Sequence, residues 1–199
     1  MPSTITTRIL NDFNASAALT LACADVLTPQ IVAAVNLLSN AFSAGNKVLA
    51  CGNGGSAGQC QHFSADLVGR FERERPPLPA FSLTTDTSIL TAISNDYEFD
   101  QIFAKQVQAL GQAGDILQAI TTSGNSSNVI RAIEVAHERE MHVIALTGKD
   151  GGKIASLLAG EDVQICVKHT RTANVQEIHA LIIHCLCDGI DFVLLGDNG

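Results

Sequence analysis

The chain has 199 residues, of which 46% are hydrophobic and 16% charged, a composition that indicates a globular protein and excludes an intrinsically disordered one. Its formal net charge is −8, and it has no Trp and a single Tyr, so a nucleic-acid-binding face is not expected. In the sequence, no apolar run reaches membrane-spanning length and the N-terminus shows no signal-peptide pattern. We therefore expect a cytoplasmic protein without a membrane contact, whose six cysteines are free thiols.

Residues 1–45 show the apolar periodicity of helices. The pattern over residues 1–26 predicts one helix. Thr28-Pro29 predicts the start of a second, because proline is favoured in a first helical turn, and Gly45 predicts its end. A helical pair ahead of the first strand often buries its free face in another subunit; packing within one chain is the simpler alternative.

The first predicted strand, 47–51, leads into the glycine-rich loop 52–56 and then a helix to about Val68. The loop matches the dinucleotide pattern only loosely, and no lysine follows it as in a nucleotide-binding P-loop, so neither a nicotinamide cofactor nor ATP is favoured. The charged, proline-rich segment 70–79 predicts an exposed connection whose charges form a solvated face.

Residues 80–111 predict a short strand at 80–83 and a helix capped by Thr85–Ser88 that runs through Ile93. A polar turn is expected at Asn95-Asp96, followed by a helix over 98–110.

Thr121-Thr-Ser-Gly-Asn-Ser-Ser-Asn128 lies between a predicted strand at 115–120 and a predicted helix near 127–138. A helix start offers free N–H groups and a partial positive charge, and the hydroxyl groups add hydrogen-bond donors. The loop therefore predicts a phosphate site; the alternative is an ordinary N-cap formed by Ser126 or Ser127.

Further strands are predicted at 142–146 and 162–167, followed by a last helix from about Arg171 to Leu195. Strands that alternate with helices and are apolar on both faces predict a parallel sheet covered on both sides. Both glycine–serine loops follow strands, so we expect them to meet in one crevice at the carboxyl ends of the strands.

Four side chains suggest chemistry. His62 and Asp66 share one face of a helix, and Gln176 and His184, eight residues apart, face roughly the same way on the last helix, whereas His179 points away. A carboxylate and two imidazoles near a sugar phosphate suit proton transfer or a divalent metal. The alternative for each histidine is a structural role.

Several motifs, taken in order and spacing, resemble those of the phosphoheptose isomerases of the SIS, or sugar isomerase, group. They are Cys51-Gly-Asn-Gly-Gly-Ser56, His62-Phe63, Ala119-Ile-Thr-Thr-Ser-Gly-Asn-Ser126, Ala145-Leu-Thr-Gly-Lys-Asp-Gly-Gly152 and Gln176-Glu-Ile-His179. Arg73-Glu-Arg-Pro76 and Cys185-Leu-Cys-Asp188 also resemble the related DiaA-type proteins, which bind the bacterial replication initiator DnaA.

The resemblance implies one SIS domain over residues 1–199, with a five-stranded parallel sheet flanked by helices in a three-layer, flavodoxin-like α/β arrangement. It implies that the helical pair within 1–45 packs in a homotetramer with sites at subunit junctions. It further implies isomerisation of sedoheptulose 7-phosphate to D-glycero-D-manno-heptose 7-phosphate, a lipopolysaccharide precursor, with one zinc ion per subunit.

Site residues follow from the same resemblance. Substrate and phosphate binding falls to Asn53, Gly54, Gly55, Ser56, Thr121, Thr122, Ser123, Ser126 and Gln176, and sugar contacts to Asn95 and Asp96. Metal ligands would be His62, Asp66, Gln176 and His184, with Asp66 and His184 also catalytic.

Asp66 departs from the family pattern, which has Glu at this position. Asp keeps the charge but is one methylene shorter, and a misplacement of about 1 Å can cost roughly a hundredfold in rate. Asp66 is thus either a repositioned base or a sign of lost catalysis. The second option favours an initiator-binding adaptor with a vestigial site; a sugar-phosphate sensor is a third, weaker alternative.

Overall fold

The computed structural model of the protein describes residues 4–197, so residues 1–3 and 198–199 of the predicted domain lie outside the described residues. Within that range the strands are β1 (Val48–Gly52), β2 (Ala80–Ser82), β3 (Ile116–Thr121), β4 (His142–Gly148) and β5 (Val163–Val167). The helices are α1 (Ile5–Ser43), α2 (Gly55–Val68), α3 (Thr87–Asp96), α4 (Ala104–Leu110), α5 (Ser127–Glu138) and α6 (Thr172–Leu195). Short 3-10 helices lie at Phe99–Gln101 and Gly152–Ser156.

The five strands form one parallel sheet in the order β2-β1-β3-β4-β5, so the predicted α/β fold is confirmed. Helices α1, α2 and α6 share a hydrophobic core with one face of the sheet, and α4 and α5 with the other. Adjacent β3 residues Ile116 and Leu117 point into different cores. This two-sided burial explains why the strands are continuously apolar in sequence.

The predicted N-terminal helical pair is wrong, because residues 5–43 form the single helix α1 with Pro29 inside it. Pro29 has no N–H to donate, and an internal proline costs about 3 kcal/mol. The hydroxyl of Thr28 donates to the Ala24 carbonyl at 2.6 Å in the turn where the proline interrupts the ladder. The apolar stripe that continues past this point, including Leu38 and Phe42, belongs to the core, and this burial favours one continuous helix.

Two predictions between β2 and β3 are also wrong in detail. The turn expected at Asn95-Asp96 belongs to α3, whose N-cap Asp86 accepts a hydrogen bond from Ile89 N at 2.9 Å. The single helix expected over 98–110 is a 3-10 turn followed by α4.

By length and composition alone, α1 and α6 are each apolar enough to cross a membrane, contrary to our expectation from the sequence. Core helices of soluble proteins share this property. Helix α6 buries Ile183, Leu186 and Ile190 against the sheet and carries buried polar groups, including Asp191. Packing within the chain therefore accounts for part of the apolar character of α6.

The six cysteines are free thiols, as expected. Burial raises the pKa of the Cys51 thiol to about 12, so this group stays protonated at neutral pH.

The crossing of α1 and α6 depends on a glycine. A Cβ at Gly189 would lie 2.7 Å from a methyl of Val35, whose branched side chain is stiff, whereas a Cβ at Gly58 of α2 would meet nothing within 4 Å. We expect Gly189→Ala to lower the free energy of unfolding by about 1–3 kcal/mol through overpacking. Gly58→Ala is the control, expected to be neutral or stabilising by up to about 1 kcal/mol. Urea denaturation measures both, and equal effects would contradict the tight crossing.

Candidate active site

A cleft of about 310 Å³ opens at the carboxyl ends of β1 and β3, where the strand order reverses. The loops after these two strands form its sides. Its lining consists of Asn53, Gly54, Gly55, Ser56, Ile120, Thr121, Thr122, Ser123, Ser126, Thr172 and Gln176. The structure thus brings together every predicted substrate-binding residue except Asn95 and Asp96.

Three helices begin at the cleft, namely α2, α5 and α6. Among the described residues, their N-caps Gly54, Ser126 and Arg171 make no side-chain hydrogen bond to the first turns. Ser126 therefore occupies the N-cap position, but its hydroxyl does not cap the helix in the ordinary way and lies instead 2.9 Å from Thr121 Oγ1. Some first-turn N–H groups already bond to backbone carbonyls, those of Ser56 and Ala57 at α2 and that of Val129 at α5. The remaining first-turn N–H groups and the positive ends of three helix dipoles can interact with an anion.

Hydroxyl groups line the same space. Thr121 Oγ1 lies 2.9 Å from Ser126 Oγ and 3.3 Å from Ser123 Oγ, which joins the start and end of the loop. None of the described lining residues carries a charge. The cleft therefore suits a phosphate held by hydrogen bonds and helix dipoles.

The two loops are fastened by a reciprocal pair of side-chain amides. Asn53 donates to Asn128 Oδ1 at 2.8 Å, and Asn128 donates back to Asn53 Oδ1 at 2.9 Å. Asn128 is buried, so the pair acts as a fixed strut between the β1 and β3 loops. Asn128 could not be predicted from the sequence, because an asparagine in the first turn of a helix does not indicate a partner 75 residues away.

Asn95 and Asp96 lie elsewhere, on the exposed end of α3, where Asn95 Nδ2 donates to Asp96 Oδ1 at 2.8 Å. They do not line the cleft of their own chain within the described residues.

His62, Asp66 and His184 form a second cluster, in which one ligand atom from each lies within 4.8 Å of the others. His62 Nε2 is 3.2 Å from Asp66 Oδ2, and the two imidazole rings meet edge to face with centroids 5.0 Å apart. Phe71 stacks on the His184 ring at 5.6 Å. The structure thus brings together three of the four expected metal ligands from two separate helices, a contact that their spacing in the sequence could not show.

The cleft and this cluster lie along the same two helices. Near the start of both helices, Gln59 Nε2 donates to the Gln176 carbonyl at 2.7 Å, and a Cβ on Gly55 would come within 2.5 Å of the Gln176 amide. Further along, Asp66 faces His184. Early residues of α2 contact early residues of α6, and later residues contact later ones, so the two helices run side by side in the same direction. His184 follows Gln176 by eight residues, or about 12 Å.

The His–Asp–His cluster fits a zinc ion by its donors. Imidazole nitrogens and a carboxylate oxygen are common zinc ligands. Asp66 Oδ2 is buried, and its approach to His62 lacks hydrogen-bond geometry, so among the described residues it has no hydrogen-bond donor. A cation would satisfy this oxygen. Gln176 lines the cleft on the same helix as His184, and its part in such a site stays a prediction.

His179 fulfils the structural alternative. Its Nε2 is 2.9 Å from the Thr147 carbonyl, and burial lowers the pKa of the ring to about 4, so it is neutral at pH 7.

The charged connection 70–79 is not entirely solvated, as the sequence predicted, because Arg75 is buried with its Nε 2.6 Å from an Asp191 carboxylate oxygen. The pairing of this guanidinium across 116 residues left no sign in the local charge pattern.

Comparison with known proteins adds the family. A SIS-domain family model matches residues 13–148. Phosphoheptose isomerase of Dechloromonas aromatica is 58% identical over 95% of this chain and 96% of its own. The solved phosphoheptose isomerase GmhA of Neisseria gonorrhoeae is 52% identical with a TM-score of 0.91, covering 94% of this chain and 99% of its own. The Francisella tularensis enzyme is 47% identical with a TM-score of 0.93, covering 95% and 99%.

The amide strut gives a testable consequence. Asn128→Ala removes both hydrogen bonds between the loops and leaves Asn53 unpaired, so we expect binding of inorganic phosphate, measured by calorimetry, to weaken about tenfold. Asn46→Ala is the matched control, because it also removes an amide hydrogen bond, to the Gly114 carbonyl. This bond lies at the amino ends of the strands, away from the cleft. An equal loss of phosphate affinity in both variants would show that the strut has no specific role.

Proposed function

The chain belongs to the phosphoheptose isomerase family of SIS-domain proteins, and on that basis we propose that it converts sedoheptulose 7-phosphate to D-glycero-D-manno-heptose 7-phosphate in the cytoplasm, for lipopolysaccharide heptose synthesis. The observation that carries the proposal is the placement of a hydroxyl-lined anion cleft and a carboxylate–imidazole cluster along the same pair of helices. Phosphate and carbonyl ends of one sugar chain would occupy these two places.

The cleft holds the phosphate away from the chemistry. Hydroxyl groups of Thr121, Ser123 and Ser126 and the N–H groups of three helix starts bind its oxygens, while Gln176 contacts the sugar between the phosphate and the cluster. Binding energy from the phosphate then orients the reacting carbons. This energy raises the rate most when it holds those carbons next to the base.

Proton transfer falls to Asp66 and His184. The Asp66 carboxylate takes a proton from C1, beside the C2 carbonyl of the ketose, and an enediolate forms. His184 moves a proton from the C1 oxygen to the C2 oxygen, and Asp66 returns its proton to C2, which gives the aldose with no net change in atoms. The clustering of these two side chains from different helices supports the assignment.

His62, Asp66 and His184, with Gln176 alongside, would hold one zinc ion per subunit. When bound, zinc polarises the carbonyl–hydroxyl pair of the substrate. The buried Asp66 oxygen without a donor supports a cation at this place.

The adaptor alternative receives less support. The relatives described above carry the isomerase name, and Asp66, although shorter than Glu, lies beside both histidines. A sugar-phosphate sensor would need the cleft but not this cluster.

We further propose that the chain is one domain and forms a homotetramer through α1. The first half of α1 exposes Ile5, Ile9, Leu10, Phe13 and Leu21, which is unusual for a monomer surface. An apolar groove between α1 and α6, lined by Cys23, Leu27, Ile31 and Leu181 among others, continues this face. A neighbouring subunit would cover it and bring Asn95 and Asp96, exposed in their own chain, to a shared site.

The catalytic assignment predicts that Asp66→Asn lowers kcat at least about a hundredfold, because a general base contributes roughly that much or more. The unfolding midpoint and phosphate binding should stay near those of the wild type. Asp66→Glu, which restores the residue common in the family, should retain activity. The assay follows sedoheptulose 7-phosphate after metal removal, with and without added zinc, and Glu134→Gln on the outer face of α5 serves as the control. Normal turnover by Asp66→Asn would refute the role of this carboxylate.

Absence of turnover by the wild type under both zinc conditions, together with capture of the replication initiator, would instead establish the adaptor.

For the assembly, we expect Phe13→Asp to reduce the tetramer to smaller species in sedimentation velocity, because Phe13 is 73% exposed in the single chain and would carry a charge into the interface. Asn11→Asp adds the same charge about 200° around the helix and should leave the assembly intact. A tetramer unaffected by Phe13→Asp would place the interface elsewhere.

A further inference from the structure

We propose that Arg75 and Asp191 form a positioning pair that sets the separation of Asp66 and His184. The inference rests on the proposed function, in which these two side chains act on the same substrate. Neither Arg75 nor Asp191 contacts the substrate in this scheme; each acts through the helix that carries a reacting group.

All three nitrogens of the Arg75 guanidinium donate hydrogen bonds. Its Nε donates to Asp191 Oδ1 at 2.6 Å, its Nη1 to the Leu67 carbonyl at 2.7 Å, and its Nη2 to the Asp66 carbonyl at 2.7 Å. The side chains of Arg75 and Asp191 are each only 2% exposed. Solvent screening is therefore weak, and the planar fork fixes the three acceptors relative to one another.

The two carbonyls belong to the last turn of α2, which ends at Val68. Carbonyls of a last helical turn accept no hydrogen bond from an N–H group of their own helix. A cation at this end also interacts favourably with the helix dipole. Arg75 thus completes the end of α2 at the very residue whose side chain is the proposed base.

Asp191 lies on α6, seven residues after His184, which places both on roughly the same side of that helix two turns apart. Cys187 lies between them, and burial together with the nearby carboxylates of Asp66 and Asp191 raises the pKa of its thiol. The pair therefore ties the end of α2 to the face of α6 that carries His184.

A short base makes this tie important. Asp has one fewer rotatable bond than Glu, so the position of the Asp66 carboxylate follows the α2 backbone closely. A shift of about 1 Å can cost roughly a hundredfold in rate. Replacing a buried ion pair by hydrophobic residues often leaves the stability of a protein unchanged. Stability alone therefore does not explain the Arg75–Asp191 pair, whereas a role in setting the separation of Asp66 and His184 does.

The test is Arg75→Lys, since an ammonium can pair with Asp191 but cannot also donate to both carbonyls of α2. We expect kcat with sedoheptulose 7-phosphate to fall about ten- to a hundredfold while KM changes less than about threefold, because other loops build the phosphate cleft. Asp191→Glu is the second variant: it keeps the charge, lengthens the arm by one methylene, and should give the same split.

The control is Lys47→Met, which breaks another ion pair with a buried partner, Lys47 Nζ to Asp115 Oδ2 at 2.5 Å, at the opposite edge of the sheet. It should lower the unfolding midpoint without changing kcat at a temperature where each variant is folded.

A second measurement does not depend on activity. In histidine-labelled protein, the nuclear Overhauser effect between the His62 and His184 rings, whose centroids are 5.0 Å apart, should weaken in Arg75→Lys and Asp191→Glu and persist in Lys47→Met. If the wild type shows no turnover, the proposed function fails and this ring contact alone decides the positioning role. Wild-type kcat and ring contact in both variants, or equal losses in Lys47→Met, would overturn the inference.

Discussion

The site depends on α2 and α6 lying side by side in the same direction. Each helix begins at the proposed phosphate cleft and carries a proposed catalytic side chain further along, so their register decides whether these two places could serve one molecule. Gly55 leaves room for the Gln176 amide at the start of the pair, since a Cβ there would come within 2.5 Å of that amide. Beyond the cluster, Arg75 joins the end of α2 to Asp191.

The described lining of the cleft offers an anion helix dipoles and hydroxyl groups but no cationic side chain. The helix starts and hydroxyl groups are held in place by the fold before any ligand arrives, so little reorganisation accompanies binding. This arrangement agrees with an acidic chain of net charge −8, in which a phosphate site cannot depend on a broadly positive surface. The carboxylate and the two imidazoles lie instead in the second cluster, where we propose that the carbonyl reacts.

Much of this architecture could be predicted from the sequence, because it is written in local patterns. Alternation of apolar strands with amphipathic helices gave the parallel sheet, and loops that follow strands must meet at one edge of it. The predictions that were wrong or missing concern residues whose partners lie far along the chain. Pro29 locally predicts a helix start, and only burial of the following stripe shows that the helix continues. Arg75 sits in a charge run that is typical of a solvated face, and Asn128 in an ordinary first turn; each is bound to a residue far along the chain.

The departure at Asp66 is best understood together with the buried pair behind it. A glutamate could reach a substrate from a range of backbone positions, whereas an aspartate on the same helix has a narrow range and needs its backbone held. Arg75 donates to the Asp66 carbonyl itself, so the support acts at the residue where reach has been lost. The convergence of a short carboxylate, two histidines and a buried guanidinium at the end of α2 is thus more economically explained by working chemistry than by its loss.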